Sequence, residues 1–216
     1  MSETVAAALL GIGGVSFRPS DPITFKSGIL SPVYCDNRRF PFYPREWREV
    51  IESFVELINR VHLKFDIIGG IESAAIPHSA ALGFVMATPS VFIRKAAKEH
   101  GTKRRVEGGD VTGCRVLLIE DLVTTGSSSL AGIEALREEG ATVTDCLAIV
   151  SYRFPEAIEQ FDRAGVQLHT LTSFGEVLEV ARTRELVTPA EASSVTAWLH
   201  HPHSWAAKQL QNRGRM

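Results

Sequence analysis

An uninterrupted apolar run in the middle of the chain constrains the fold more than any other feature of the sequence. Residues 116–119 read Val-Leu-Leu-Ile, and Glu120 and Asp121 follow at once. A strand that is apolar on both faces is typical of the centre of a parallel sheet, because helices cover both faces of such a sheet. The run therefore predicts a buried central strand in an α/β fold.

The segments on either side of this run alternate between strand and helix patterns. We expect further strands over residues 65–70, 91–93, 143–150 and 166–171. We expect helices over 47–61, 75–82, 130–139 with a stop at Gly140, 155–164, 174–181 and 189–199, the last with Thr188 and Glu191 as a capping box. Strands that alternate with helices need crossover connections, so the pattern predicts a doubly wound, mainly parallel sheet. Ligands bind such sheets beyond the carboxyl ends of the strands.

The chain divides into three segments by composition. Residues 1–45 are rich in Gly, Pro, Ser and aromatic residues without a sustained period, which predicts a small irregular N-terminal hood. Residues 46–172 carry the strand and helix pattern of the core, and residues 173–216 form a C-terminal helical segment that we expect to pack on the core and the hood. A chain of 216 residues can bury one sizeable core, so we expect a single structural domain.

The charge balance and the cysteines exclude several classes of protein. A formal net charge of -2 gives no general attraction for nucleic acid or an anionic membrane. The apolar run 5–10 is too short to span a bilayer. Three widely separated cysteines give neither a disulfide framework nor a zinc spacing and suit reduced thiols. We therefore expect a cytoplasmic protein with no nucleic-acid or membrane partner.

The residues that follow the central strand suggest a phosphate site. Thr124 to Ser128 provide hydroxyls, small side chains and one glycine where a helix begins. Free N–H groups at a helix start bind phosphate, but no Gly-Lys-Ser/Thr follows, so a Walker-type nucleotidase is disfavoured. The adjacent Glu120 and Asp121 can accept hydrogen bonds from a vicinal diol, which together with the cradle suits a sugar phosphate. The alternative is an ordinary turn in which the acids and serines stabilise the helix start.

This order of strand, acidic pair and cradle resembles the phosphoribosyl diphosphate signature of type I phosphoribosyltransferases. Residues 25–38 (FKSGILSPVYCDNR) resemble the hood motif of the orotate phosphoribosyltransferases within that family, and residues 94–101 with 107–109 resemble its mobile catalytic loop. The matches span most of residues 9–130. The resemblance implies the type I phosphoribosyltransferase fold and the transfer of ribose 5-phosphate from phosphoribosyl diphosphate to N1 of orotate. The products would be orotidine 5′-monophosphate and diphosphate, in de novo pyrimidine (UMP) synthesis.

The resemblance also assigns roles to residues. Lys98 and Asp121 are the expected catalytic residues. The expected phosphoribosyl diphosphate-binding residues are Arg94, Lys95, Lys98, His100, Glu120, Asp121, Thr124, Thr125, Gly126, Ser127, Ser128, Lys26, Ser73 and Ala74. The expected orotate-binding residues are Lys26, Tyr34, Cys35, Thr124 and Arg153. Two alternatives remain: Arg153 could pair with a surface acid, and the basic segment 94–105 could be an ordinary solvated loop or a nucleic-acid patch. We expect its last three cations, Lys103, Arg104 and Arg105, to face solvent.

The resemblance implies Mg²⁺ as cofactor, carried by the diphosphate and not held by a protein metal site. It also implies a homodimer in which part of the catalytic loop serves the neighbouring subunit. His200, His201 and His203 lack ligand spacing, and we expect them to lie in a surface tail. Alternative functions are transfer to another base, or phosphoribosyl diphosphate sensing by a non-catalytic regulator.

One turn departs from the family pattern. The turn after the strand at 65–70 reads Gly69-Gly70-Ile71-Glu72-Ser73-Ala74-Ala75, with Ala74 where many members have a lysine. Backbone N–H groups at residues 73–75 can still bind diphosphate, but one cation is missing. We therefore expect the cradle and the mobile loop to contribute more of the phosphate binding.

Overall fold

The computed structural model describes residues 1–96 and 104–213 of the chain and has a central six-stranded sheet in the order β10-β9-β8-β5-β6-β7. All pairs are parallel except the antiparallel edge pair β6–β7. The strands are β1 (Val15–Phe17), β2 (Ile23–Thr24), β3 (Leu30–Ser31), β4 (Val33–Cys35), β5 (Ile67–Ile71), β6 (Ser90–Ile93), β7 (Val106–Glu107), β8 (Val116–Val123), β9 (Asp145–Ser151) and β10 (Gln167–Ser173). The predicted α/β fold with a doubly wound, mainly parallel sheet is confirmed.

Helices cover the sheet. They are α1 (Ser2–Gly11), α2 (Pro44–Val61), α3 (Ile76–Met86), α4 (Ser127–Glu138), α5 (Pro155–Ala164), α6 (Phe174–Thr183), α7 (Pro189–His200) and α8 (Pro202–Arg213). The capping box of Thr188 and Glu191 at the start of α7 is present as predicted. A second capping box, Ser173 with Glu176, begins α6 and was not predicted.

The C-terminus differs from the prediction, which placed the last helix end at Leu199. The chain turns at His201 and continues as α8, because Pro202 is tolerated in the first turn of a new helix. Trp205 anchors this helix: its side chain is buried, and its indole N–H donates to the hydroxyl of Ser194 in α7 at 3.1 Å.

The central strand is longer than its apolar run. Residues 116–119 are 0–2 % exposed, as expected for a strand covered on both faces. β8 nevertheless runs to Val123, because β9 continues beside it and pairs Leu122 with Val150 and Val123 with Ser151. The acidic pair therefore lies inside the strand and not after it.

The hood contains α1, two small antiparallel pairs (β1–β4 and β2–β3) and a 3₁₀ helix, Asn37–Phe42. Trp198 of α7 joins it to the C-terminal segment: its indole N–H donates to the Leu30 carbonyl at 2.9 Å, and its ring packs edge-on against Phe25. The three-segment division, with boundaries after residues 45 and 172, stays a prediction. Within the described part of the chain, no helix is both long and apolar enough to cross a membrane.

Candidate active site

The strand order reverses direction between β5 and β8. From β5 the chain moves outward to β6 and β7, then returns to add β8, β9 and β10 on the other side. Ligands of open α/β sheets bind beyond the carboxyl ends of the strands at such a switch point. The described turns that meet this requirement are 72–75 after β5, 124–126 after β8 and 152–154 after β9, and residues 94–96 leave β6 at the same edge.

Glu120 is a buried carboxyl group held by the start of α4. It is 4 % exposed. Its Oε2 accepts from the hydroxyls of Ser128 and Ser129 at 3.0 and 3.2 Å, and its Oε1 accepts from the Asp121 backbone N–H at 3.2 Å. Burial, followed by the neighbouring charge of Asp121, raises the pKa of Glu120. Glu120 therefore braces the strand against the helix start.

Asp121 is the more accessible member of the acidic pair. Its residue is only partly buried, whereas Glu120 is fully enclosed. Burial also raises the pKa of Asp121, although hydrogen bonding with Glu120 and with Asn37 favours the charged form. Of the two carboxylates, Asp121 is thus the better placed to accept hydrogen bonds from a bound molecule.

The predicted cradle lies directly after β8. Gly126 has φ +86° and precedes the first residue of α4, and a Cβ there would lie 3.2 Å from Cε2 of Phe161. Only glycine fits both the conformation and the space. Thr124 and Thr125 are partly buried, Ser127 and Ser128 are exposed, and the hydroxyls of Thr125 and Ser127 lie 3.1 Å apart. The first N–H groups of α4 have no partner within the helix, which suits an anion.

The turn after β5 contains an acid that ties it to the next loop. Ser73 is exposed and Ala74 is partly buried. Glu72 accepts from the Lys95 backbone N–H through Oε2 at 3.0 Å. The turn that lacks a lysine at position 74 is therefore joined directly to the beginning of the basic segment.

The basic segment is described only at its ends. Arg94 is partly buried and pairs with Glu107 at 3.2 Å, and Lys95 is exposed. Lys98 and His100 lie outside the described residues. Arg105 was expected to face solvent and does not: it is partly buried, and its guanidinium donates to the carbonyls of Arg94 and Ala131.

The hood contributes a rigid charged pair next to Tyr34. The guanidinium of Arg38 donates through Nε and Nη2 to both carboxylate oxygens of Asp36, at 2.6 and 2.9 Å, and through Nη2 to the Tyr34 hydroxyl at 2.8 Å. The hydrogen bond with Arg38 lowers the pKa of Asp36. Cys35 is buried and Lys26 is exposed.

The two basic residues predicted to bind orotate, Lys26 and Arg153, lie on either side of one aromatic contact. Phe25, which precedes Lys26, packs against Tyr152 with ring centroids 5.6 Å apart, so the start of the hood motif lies against the end of β9. Arg153 follows with φ +56° and a largely exposed side chain, whose guanidinium lies 3.9 Å from Glu176. The alternative role of Arg153, a surface ion pair, is therefore also compatible with the structure, as a long ion pair with Glu176.

Two residues that sequence reasoning did not single out also belong to this site. Asn37 donates from Nδ2 to the backbone carbonyl of Asp121 at 2.9 Å, and Arg38 lies near enough to Asp121 for the aspartate charge to raise the arginine pKa. The spacing of Asp36 and Arg38 could have suggested their pairing. Nothing local could have shown the contact of Asn37 with a residue 84 positions away.

The three C-terminal histidines, His200, His201 and His203, are all exposed. Nε2 of His203 lies 3.8 Å from Glu156. Within residues 1–96 and 104–213, no cluster of three or more His, Cys, Asp or Glu side chains could hold a metal ion.

Comparisons with known proteins agree with this geometry. A family model described as a phosphoribosyl transferase domain matches residues 43–162. An orotate phosphoribosyltransferase of Coxiella burnetii is 41% identical over 201 residues, 93% of this chain and 96% of the relative. The structure of Leishmania donovani UMP synthase superposes with a TM-score of 0.81 at 30% identity, over 92% of this chain but only 42% of that one. Mycobacterium tuberculosis orotate phosphoribosyltransferase in complex with 5-phospho-α-D-ribosyl 1-diphosphate is similar with a TM-score of 0.62 at 25% identity, over 81% and 98% of the two chains.

Proposed function

This chain belongs to the orotate phosphoribosyltransferase family of phosphoribosyl transferases, and we propose that it makes orotidine 5′-monophosphate from orotate and phosphoribosyl diphosphate. The observation that carries the proposal is the partly exposed Asp121 beside a helix-start cradle at the switch point of the sheet. A carboxylate there can bind the ribose diol while free N–H groups bind the 5-phosphate. The mycobacterial relative, whose structure was solved with this donor, supports the same substrate for this chain.

The reaction exchanges one bond at the anomeric carbon. The bond from C1 to the diphosphate oxygen breaks and its electron pair leaves with diphosphate, while N1 of orotate forms the new bond to C1 and gives up its proton. Positive charge grows on the ribose as negative charge grows on the leaving group, so fixed hydrogen bonds and nearby cations lower the barrier. We assign the ribose to Asp121, the 5-phosphate to residues 124–128, and the diphosphate to Lys98 with Arg94, Lys95, His100 and the turn at 73–74.

The pyrimidine would bind between the hood and the end of β9. Phe25 and Tyr152 bring these two parts together, and Lys26, Tyr34, Cys35 and Arg153 are the proposed orotate residues. A guanidinium suits the carboxylate of orotate, and the side chain of Arg153 is largely exposed. The hood motif, residues 25–38, is the feature that favours orotate over another base as the acceptor.

Mg²⁺ is the proposed cofactor, held mainly by substrate oxygens and water. Glu120 uses both of its oxygens within the chain, and no cluster of three or more ligand side chains among the described residues could hold the ion. The diphosphate oxygens are therefore its proposed ligands, in keeping with the preference of this ion for oxygen and water. Carried by the substrate, the ion would neutralise charge on the leaving diphosphate.

A homodimer and a cytoplasmic location complete the proposal. α3 exposes Phe84 and Val85, at 89% and 58% of their surface, which supports a subunit contact on that helix. Cys35, Cys114 and Cys146 are all free thiols, as expected in a reducing compartment.

The test is direct: pure protein is mixed with Mg²⁺, phosphoribosyl diphosphate and orotate, and orotate absorbance is followed, with adenine, hypoxanthine and uracil in parallel. Orotate consumption that depends on the donor and on Mg²⁺ is expected. Asp121→Asn should weaken donor binding, and Asp145→Asn, at the opposite end of the sheet, is the matched control. Turnover of another base without orotate consumption would sink the assignment, and donor binding without turnover would favour a sensor.

A further inference from the structure

A buried side chain of the hood reaches the strand that carries the acidic pair. Asn37 begins the 3₁₀ helix and is 0% exposed. Its Nδ2 donates to the backbone carbonyl of Asp121 at 2.9 Å, and its amide also acts on the carboxylate of Asp121, where it favours the charged form. The amide therefore bonds to the backbone of the residue proposed to hold the ribose and favours the charge on its side chain.

This contact occurs where the strand ladder is interrupted. The register of β8 and β9 pairs Glu120 with Ala148 and Leu122 with Val150 but skips Asp121. β5, on the other side, pairs with β8 no further than Ile119. Asp121 thus lies beyond the paired residues of β5 and is skipped in the pairing with β9, and it is at this position that Nδ2 of Asn37 donates to its carbonyl.

The other half of the amide has no such partner. Oδ1 of Asn37 is buried, and no donor among the described residues bonds to it. An unpaired buried acceptor is unfavourable for folding, so a residue present only for stability would be expected to satisfy both ends of its amide. In this arrangement Nδ2 of Asn37 has its acceptor while Oδ1 has no donor, and only the Nδ2 bond is needed to position Asp121.

A second buried polar residue fixes the position of Asn37. His78 of α3 is 0% exposed; its Nδ1 accepts from the Trp47 indole at 3.0 Å, and its ring packs edge-on against Phe40 of the 3₁₀ helix. Burial lowers the pKa of His78 to about 4, while its interaction with the Asn37 backbone acts in the opposite direction. A neutral imidazole, held by Trp47, therefore supports the segment from which Asn37 extends.

We propose that Asn37 is a positioning residue for Asp121, through which the hood orients the carboxylate that binds the ribose of phosphoribosyl diphosphate. The inference rests on the proposed function, because it takes Asp121 to be the ribose ligand. Asn37 itself touches no reacting atom. Its effect is to hold the backbone of Asp121 in place and to keep the carboxylate charged and correctly turned.

Several charged or titratable groups surround Asp121 and must be considered in any pH test. Glu120 adjoins it on β8, and Cys35 and Arg38 of the hood and Tyr152 after β9 all lie within range of its charge. Arg38 and the hydrogen bond with Glu120 favour the aspartate charge, whereas burial opposes it. Among the side-chain hydrogen bonds of the described residues, that of Asn37 is the one donated to Asp121 from outside its own strand.

The experiment compares wild-type protein with Asn37→Ala and with the isosteric Asn37→Asp. Donor affinity is measured calorimetrically with phosphoribosyl diphosphate and Mg²⁺, and kcat and both KM values are measured between pH 5.5 and 8.5. Asn37→Ala should weaken donor affinity about 2- to 10-fold, as expected for the loss of a hydrogen bond to a backbone carbonyl, and change the KM for orotate much less. Asn37→Asp should move the acidic limb of kcat/KM for the donor to higher pH, because an added carboxylate disfavours ionisation of the acidic pair.

Trp198→Phe is the matched control. Trp198 also donates a buried N–H to a hood carbonyl, that of Leu30, but away from the acidic pair, so its loss should lower the unfolding temperature without changing donor affinity or the pH limb. If Asn37→Ala does not fold, Asn37→Asp and a shorter donor, Asn37→Ser, provide the comparison. Unchanged donor affinity and an unchanged pH limb in folded variants of an active wild type would overturn this inference alone, whereas an inactive wild type would overturn the proposed function.

Discussion

Replacement of Glu120 by Gln should stabilise the protein relative to wild type, and the difference in stability should grow as the pH rises. Burial and the charge of Asp121 raise the pKa of Glu120 from 4.5 to about 8. Between these values the folded protein keeps a proton that the unfolded chain releases, so rising pH favours unfolding. Gln cannot titrate, and its amide can satisfy the same three partners, because the hydroxyls of Ser128 and Ser129 can accept as well as donate.

The size of the effect follows from the shift in pKa. Each pKa unit is worth about 1.4 kcal/mol, so between pH 5 and pH 8 wild type should lose about 3 kcal/mol relative to Glu120→Gln. For a chain of this length, about 3 kcal/mol corresponds to roughly 6–12 °C in Tm.

The assay is thermal unfolding of both proteins at pH 5, 6, 7 and 8, without donor or Mg²⁺. Titrating groups that do not interact with Glu120 are common to both proteins and cancel, so the difference reports Glu120 together with its interaction with Asp121. Glu159→Gln is the control, since this exposed glutamate pairs with Arg163 at the surface and should give a difference in Tm that changes little with pH. A Tm difference between wild type and Glu120→Gln that stays constant from pH 5 to pH 8 would refute the reasoning.

Three further predictions concern other parts of the molecule. Lys98→Ala should lower kcat at least about 100-fold, because a cation on the leaving diphosphate is lost. The Tm measured by circular dichroism should not change, and turnover equal to wild type would refute the role of Lys98. Gly70→Ala should lower the Tm by roughly 4–10 °C, because the new Cβ would lie 2.7 Å from Cβ of Ser79 and overpacking costs about 1–3 kcal/mol. Gly11→Ala, where nothing lies within 4 Å, is its control and should leave the Tm unchanged or higher. Ser173→Ala should remove the capping box of α6 and lower the Tm by roughly 2–4 °C in a denaturation scan, and a Tm equal to wild type would contradict the assigned cap.

The core of the fold was predictable because its signals are local. The apolar run 116–119 is enclosed in the structure, and Thr188 with Glu191 caps α7 as their spacing indicated. The extension of β8 to Val123 was not predictable, because it depends on pairing with Ser151 of β9, which the local sequence does not reveal. The last predicted helix, 189–199, is followed by another that begins at Pro202 and was not predicted.

The candidate site divides in the same way. The acidic pair and the cradle are contiguous in sequence, so their chemistry could be inferred from residues 120–128 alone. Asn37 could not be inferred, because its contact with Asp121 exists only when the hood folds onto a strand 84 residues further along the chain. Its sequence context, Asp36-Asn37-Arg38, is equally compatible with an ordinary surface turn. The decisive property is burial: an amide with 0% exposure and an unpaired oxygen is unfavourable in a loop unless its donor is needed, and burial is a property of the assembled fold.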